Sequence, residues 1–152
     1  MRLLARRIAE NAAEIEADDA IAALLERDET YRCLLTVPGI GPKKASELAI
    51  SISIEDFPSH DRLASYCGLA PRNRQSGTSI SSVSASRQGN KRLKNLLIFS
   101  RNCLARTNGR WSEYYARCRA RGMPHGKALK AVARKRLKVI YAVMRDKVPY
   151  VA

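Results

Sequence analysis

Acidic residues are nearly missing from most of this sequence. Between Arg62 and Arg145 the one carboxylate is Glu113. The 152 residues carry 28 Lys and Arg against 14 Asp and Glu, a formal charge of +14. That charge is uneven: residues 1–29 hold four basic and eight acidic residues, a net −4, and the remainder holds 24 and six, a net +18. A field of this sign suits an extended polyanion, with nucleic acid first among candidates. A solvated basic surface or a ribosome-like scaffold fits the same balance. Long apolar runs are also missing, so no segment reads as a membrane span, and no lipidation signal is evident. No apolar stretch follows the N-terminal arginines, as a secretory leader would require. The chain therefore reads as cytoplasmic, with no membrane partner. Cysteine is sparse: Cys33, Cys67, Cys103 and Cys118 form no CxxC pair. With two histidines, their spacings match no standard metal pattern, and no metal ligand is assigned. Cys33 and Cys67 lie among apolar residues and read as buried, reduced thiols.

What is present is organised around LLTVPGIGPKKASELAI, residues 34–50. Leu34, Leu35 and Val37 close an apolar turn that Pro38 ends, because the residue before proline is pushed out of the helical region. Gly39 and Gly41 flank Ile40; both permit positive φ and leave the backbone bare. Pro42 suits a first helical position, where its missing N–H would be unpaired anyway. Backbone N–H groups and a helix N-terminus facing outward together make an anion site, suited to phosphate. Lys43 and Lys44 in that first turn oppose the helix dipole, which makes sense if a phosphate arrives between them. The pattern resembles the helix-hairpin-helix motif, which holds duplex DNA by its backbone. An ordinary corner punctuated by PG and GP fits the same letters.

The rest reads as mostly α, with at most a small β element. Residues 1–28 show near-heptad spacing of Leu4, Ile8, Ile15, Ala22 and Leu25, a long coiled-coil-like helix with Asp18-Asp19 as a potential break. Its thin seam fits self-association into a homo-oligomer, or docking on its own domain. This gives a lead-in over residues 1–29 and a domain over residues 30–152. Ser59 is an N-cap for a short helix, residues 60–66, ended by Cys67-Gly68. Ala70-Pro71 forces an extended exit that puts Arg72 and Arg74 on one face. Gln75-Ser76-Gly77 is a polar turn, and residues 78–86 read as a short hairpin or loop. Asn90 caps a helix running from Lys91 to about Thr107, whose start is crowded by Arg87, Lys91, Arg92 and Lys94, again asking for a phosphate. Two further helices follow, at residues 111–121 and from His125 to about Arg145. The last has Leu129, Val132, Ala133, Leu137, Ile140 and Met144 on its apolar face.

Three stretches, VPGIGPKKA, DFPSHDRLASYCGLAPRNRQSG and GNKRLKNLL, occur in an order and spacing that resemble the C-terminal transposase domain of the insertion-sequence one-ten family, relatives of Piv-type DNA invertases. The resemblance covers roughly residues 30–148. It implies DNA as partner, a guide RNA as a further one, and serine-dependent strand cleavage and transfer in transposition. It places the family's serine nucleophile on Ser76, followed by Gly77. Arg72 and Arg74 lie before it, and Arg87, Gly89, Asn90 and Arg92 after it. The DNA-binding set is then Gly39, Gly41, Lys43, Lys44, Arg72, Arg74, Arg87, Asn90, Lys91 and Arg92. The family's acidic RuvC-like domain has no counterpart here, since Asp18, Asp19, Asp28 and Glu29 lie in a helical run. The chain is thus expected to be a fragment, a truncated gene product or an isolated domain, with no cofactor of its own, and Mg2+ is expected only with that missing domain. The other reading is a non-catalytic module that positions nucleic acid.

Overall fold

The computed structural model describes residues 2–74, 82–85, 90–99 and 109–151. Among them are seven α-helices, one 3-10 turn and two short strands. Helix α1 spans Arg2–Leu25, α2 Glu29–Leu35 and α3 Pro42–Ser51; the 3-10 turn Ile54–Asp56 leads to α4, His60–Tyr66. Strand β1, Pro71–Arg74, pairs antiparallel with β2, Ser82–Ala85, with Arg72 opposite Ser84 and Arg74 opposite Ser82. Helix α5 is Lys91–Phe99, α6 Arg110–Ala120 and α7 His125–Asp146.

Local chemistry sets these boundaries. The Asp28 side chain accepts from the Tyr31 amide at 2.7 Å and opens α2. Ser59 opens α4 by accepting from the Arg62 amide, and Asn90 Oδ1 opens α5 by accepting from the Arg92 and Leu93 amides at 3.0 and 3.1 Å. Each cap satisfies amides that lack an intrahelical partner. Gly68 takes φ 67° just past α4, a conformation that side chains resist.

Helix α7 is the central post, packed by α2, α4, α5 and α6. Its Leu137, Ile140 and Met144 are buried with Leu34 and Leu48 of the α2–α3 unit, Leu63 of α4, and Leu93 and Leu97 of α5. Burying each such side chain stabilises by about 1.5–3 kcal/mol. The Tyr141 hydroxyl donates to the Phe57 carbonyl at 2.8 Å, and the Tyr150 amide donates to Thr36 Oγ1 at 2.7 Å. These bonds tie α7 and the tail after it to the first half of the chain.

Helix α1 is continuous through Asp18-Asp19, which do not break it. Its last turn docks through Ala22 and Leu25, while Leu4, Ile8 and Ile15 stay more than half exposed. The reason is reach: α1 meets α3 where Glu14 and Asp18 pair with Lys43 and packs on the core through Ala22 and Leu25, so its first turns extend beyond these contacts. The apolar face of α7 also differs from its sequence reading. Arg136 is buried to 1 % exposure within it.

Candidate nucleic-acid interface

The turn between α2 and α3 is anchored from beneath. Val37 and Ile40 are buried in the core, and the Ile40 amide donates to the Val37 carbonyl at 3.0 Å. Pro38, Gly41 and Pro42 are left on the surface. Gly39 takes φ 80°, so its glycine is required by backbone conformation. Gly41 does not use that freedom: it is the N-cap of α3 at φ −93°, and a Cβ there would meet nothing within 4 Å. Its side therefore opens to solvent, with Pro42 at the first helical position behind it.

Arg136 holds this turn from below. Its buried guanidinium Nη2 donates to the Pro38 carbonyl at 2.7 Å, linking α7 to the hairpin. Its residue type hid this role, but its spacing carried a signal. Ala128, Val132, Arg136 and Ile140 recur every fourth residue on the buried stripe of α7.

The two lysines of the hairpin do not converge on one point. Lys44 Nζ reaches back to the Gly39 carbonyl at 3.3 Å. Lys43 Nζ lies between two carboxylates of α1, 3.0 Å from Glu14 Oε1 and 2.7 Å from Asp18 Oδ2. The hydrogen bond to Asp18, then that to Glu14, raises the Lys43 pKa above the usual lysine range.

The basic start of α5 lies against the hairpin unit. Arg92 pairs with Glu47 of α3, and the Asn90 amide donates to the Tyr66 carbonyl at 2.8 Å. Lys91 is exposed beside them. Farther along, burial and then the nearby Lys94 hold Lys130 of α7 below the usual lysine range. Like charges kept this close raise the local positive potential, which an arriving phosphate relieves.

Arg72 and Arg74 stand in β1 at positions opposite β2 serines. Ser76, Gly77, Arg87, Gly89 and Cys103 lie outside the described residues. Cys33, Cys67 and Cys118 are buried free thiols, and burial pushes the Cys67 pKa up to about 12, as expected of inert core cysteines. Among the described residues no group of three or more His, Cys, Asp or Glu is placed to hold a metal ion. Nor is any described helix long and apolar enough to cross a membrane.

Residues 31–116 match the family model described as Transposase IS116/IS110/IS902 family. The chain is 39% identical, over 127 residues, to an insertion element IS110 uncharacterized 43.6 kDa protein of Streptomyces coelicolor; the match covers 83% of this chain and 31% of that protein. It is 32% identical to an insertion element IS116 uncharacterized 44.8 kDa protein of Streptomyces clavuligerus, over 86% of this chain and 33% of that one. It is 36% identical to the pilin gene-inverting protein of Moraxella bovis, over 77% and 37% respectively. The chain thus spans about a third of the length of these relatives.

Proposed function

From the premise that this chain belongs to the IS116/IS110/IS902 transposase family, we propose that it binds DNA and takes part in strand cleavage and transfer during transposition or inversion. The observation that carries the binding half is the outward hairpin: bare backbone at Gly41, a helix start behind it, and the capped, basic start of α5 beside it. In this reading the α2–α3 unit works as a helix-hairpin-helix. Its first-turn amides meet a backbone phosphate, a contact that positions duplex without reading sequence.

Ser76 is the nucleophile of this reading. Its oxygen attacks phosphorus and forms a phosphate ester as the bond to a sugar oxygen breaks, and the serine proton passes through solvent to that departing oxygen. Arg72 and Arg74 suit the charge that develops on the phosphate oxygens, because guanidinium is planar, always charged and bidentate. The family's Mg2+ belongs with a separate acidic domain. The described residues of this chain offer no cluster that fits such an ion, so no step here runs through it. The exposed seam of α1 at Leu4, Ile8 and Ile15 is the face by which copies associate, and a guide RNA is a further partner of the longer protein.

Gly41→Val tests the binding half. The open space around that position lets the fold stand, while a branched side chain blocks approach of the backbone to phosphate. Duplex affinity, read by fluorescence anisotropy, should fall about equally for unrelated sequences, with the helical circular dichroism preserved. Full affinity in the valine variant would remove the hairpin from the interface.

A further inference from the structure

A cleft of about 570 Å3 opens between α6 and the second half of α7, on residues with no part in the hairpin or the serine. That volume falls in the range of small-ligand sites, roughly 300–1,000 Å3. Its floor is apolar, from Val139, Ala142 and Val143. Its walls carry aromatic rings: Trp111 and Tyr114 from α6, and Tyr150 from the tail. Its rim carries Arg110, Arg117, Lys135 and Lys138. The one carboxylate of the lining, Asp146, is taken bidentately by Arg145 at 2.7 and 3.0 Å, so it does little to offset the four cations.

The cleft is built from fixed parts. The chain turns after α7 at Lys147, with φ 51°, and the bond from the Tyr150 amide to Thr36 pins the tail that forms one wall. Lys135 Nζ lies 4.2 Å from the centroid of the Tyr114 ring. A cation resting on an aromatic face marks a π surface that a base can share or take over.

Aromatic faces beside a row of cations are the chemistry of an unpaired nucleic-acid strand. Bases stack on the rings and phosphates meet the cations, with little dependence on sequence. Duplex does not fit this chemistry, because its bases are stacked on one another and cannot enter an apolar floor. The lining has no Ser, Thr, Asn or Gln, the neutral side chains that read base edges or a ribose hydroxyl. We propose that the α6–α7 cleft holds an unpaired nucleotide of a DNA strand, its base against the aromatic wall and its phosphates on Lys135, Lys138, Arg110 and Arg117. The choice of DNA as the polymer rests on the reading given under Proposed function.

The chain has a single tryptophan, Trp111, and it lines the cleft. Its fluorescence therefore responds to a ligand in the cleft, and because Trp111 also borders a second pocket with Leu97, Tyr115 and His125, the cleft variants assign the site. The full chain is titrated with a single-stranded oligonucleotide of about 12 nucleotides, within the usual reach of strand-binding grooves, and separately with duplex. Single strand should quench Trp111. Lys135→Ala with Lys138→Ala, and separately Tyr114→Leu, should each weaken strand binding about tenfold and leave duplex affinity little changed. Lys127→Glu, the same change of two charges near the other end of α7, should leave quenching intact. No quenching by single strand, while duplex still binds, overturns the cleft and leaves the hairpin reading standing. An equal loss in Lys127→Glu also overturns it, since the attraction would then be diffuse. Failure of both ligands to bind overturns both readings. An RNA strand of the same sequence binding tenfold tighter overturns the assignment to DNA.

Discussion

Arg136 shows what one residue does in this fold. It is a guanidinium at 1 % exposure among buried apolar side chains, and its Nη2 bonds the carbonyl that starts the hairpin turn. Desolvating a charge is expensive, so such a group is retained for the contact it makes. Arg136→Met removes the donor and the buried charge together but keeps much of the volume, so the loss should be modest, about 1 kcal/mol. Arg136→Ala also leaves a cavity and should cost about 3 kcal/mol. Urea unfolding gives both values, and anisotropy on the methionine variant gives the effect on the hairpin. If the turn depends on this bond, duplex affinity falls in Arg136→Met even where the protein is fully folded. A methionine variant with unchanged stability and unchanged affinity would show that the turn sets itself. Caps were legible where a residue's own chemistry decides the outcome: Ser59 and Asn90 open α4 and α5 as their side chains dictate. Arg136 was not, because its type argues for the surface and only its place in the fourfold spacing argues for the core.

At the scale of elements, the unexpected contact is between α1 and α3. The sequence pointed to a phosphate between Lys43 and Lys44, yet Glu14 and Asp18 flank Lys43. Those carboxylates lie one helical turn apart on α1, about 25 to 30 residues before the lysine, a pairing that no local pattern announces. The same holds for the strands. Pro71 fixes an extended exit, but its partner β2 is only four residues long, two serines alternating with Val83 and Ala85, and its pairing with β1 makes it a strand. If the hairpin binds duplex as proposed, helix α1 competes with DNA for Lys43. Neutralising it with Glu14→Gln and Asp18→Asn should raise duplex affinity modestly, by up to about fivefold, as expected of surface pairs. It should also steepen the salt dependence, because one more lysine is free to displace a counterion. Each phosphate contact contributes about −0.9 to the slope of log affinity against log salt. A salt titration on the double variant reads both numbers. A slope identical to that of the unaltered chain would mean that Lys43 never reaches the duplex.

On the scale of the whole molecule, charge and chemistry are divided along the chain. The acidic lead-in of −4 precedes a domain of +18, and the serine assigned by resemblance sits within the second. Binding and bond cleavage should therefore separate experimentally. In the proposed binding mode affinity is spread over many cations and amides, so one hydroxyl should add little to it. A weak nucleophile, by contrast, needs a group that takes its proton and charge that stabilises the transition state. The chain alone should bind duplex without cutting it, since its described residues hold no acidic metal cluster. Mixed with or fused to an acidic RuvC-like domain from a longer relative, it should form a covalent protein–DNA species through Ser76. Ser76→Ala should abolish that species and leave duplex affinity nearly unchanged. Ser76→Cys should retain part of the attack, because a thiolate is intrinsically nucleophilic. Arg72→Ala or Arg74→Ala should lower binding and cleavage together, as expected of groups that hold the phosphate in ground and transition states alike. A denaturing gel of labelled DNA separates these outcomes. A covalent band that persists in Ser76→Ala moves the nucleophile elsewhere in the chain. No band under any reconstitution, with duplex binding intact, makes this domain a module that positions DNA for chemistry done by another part of the protein.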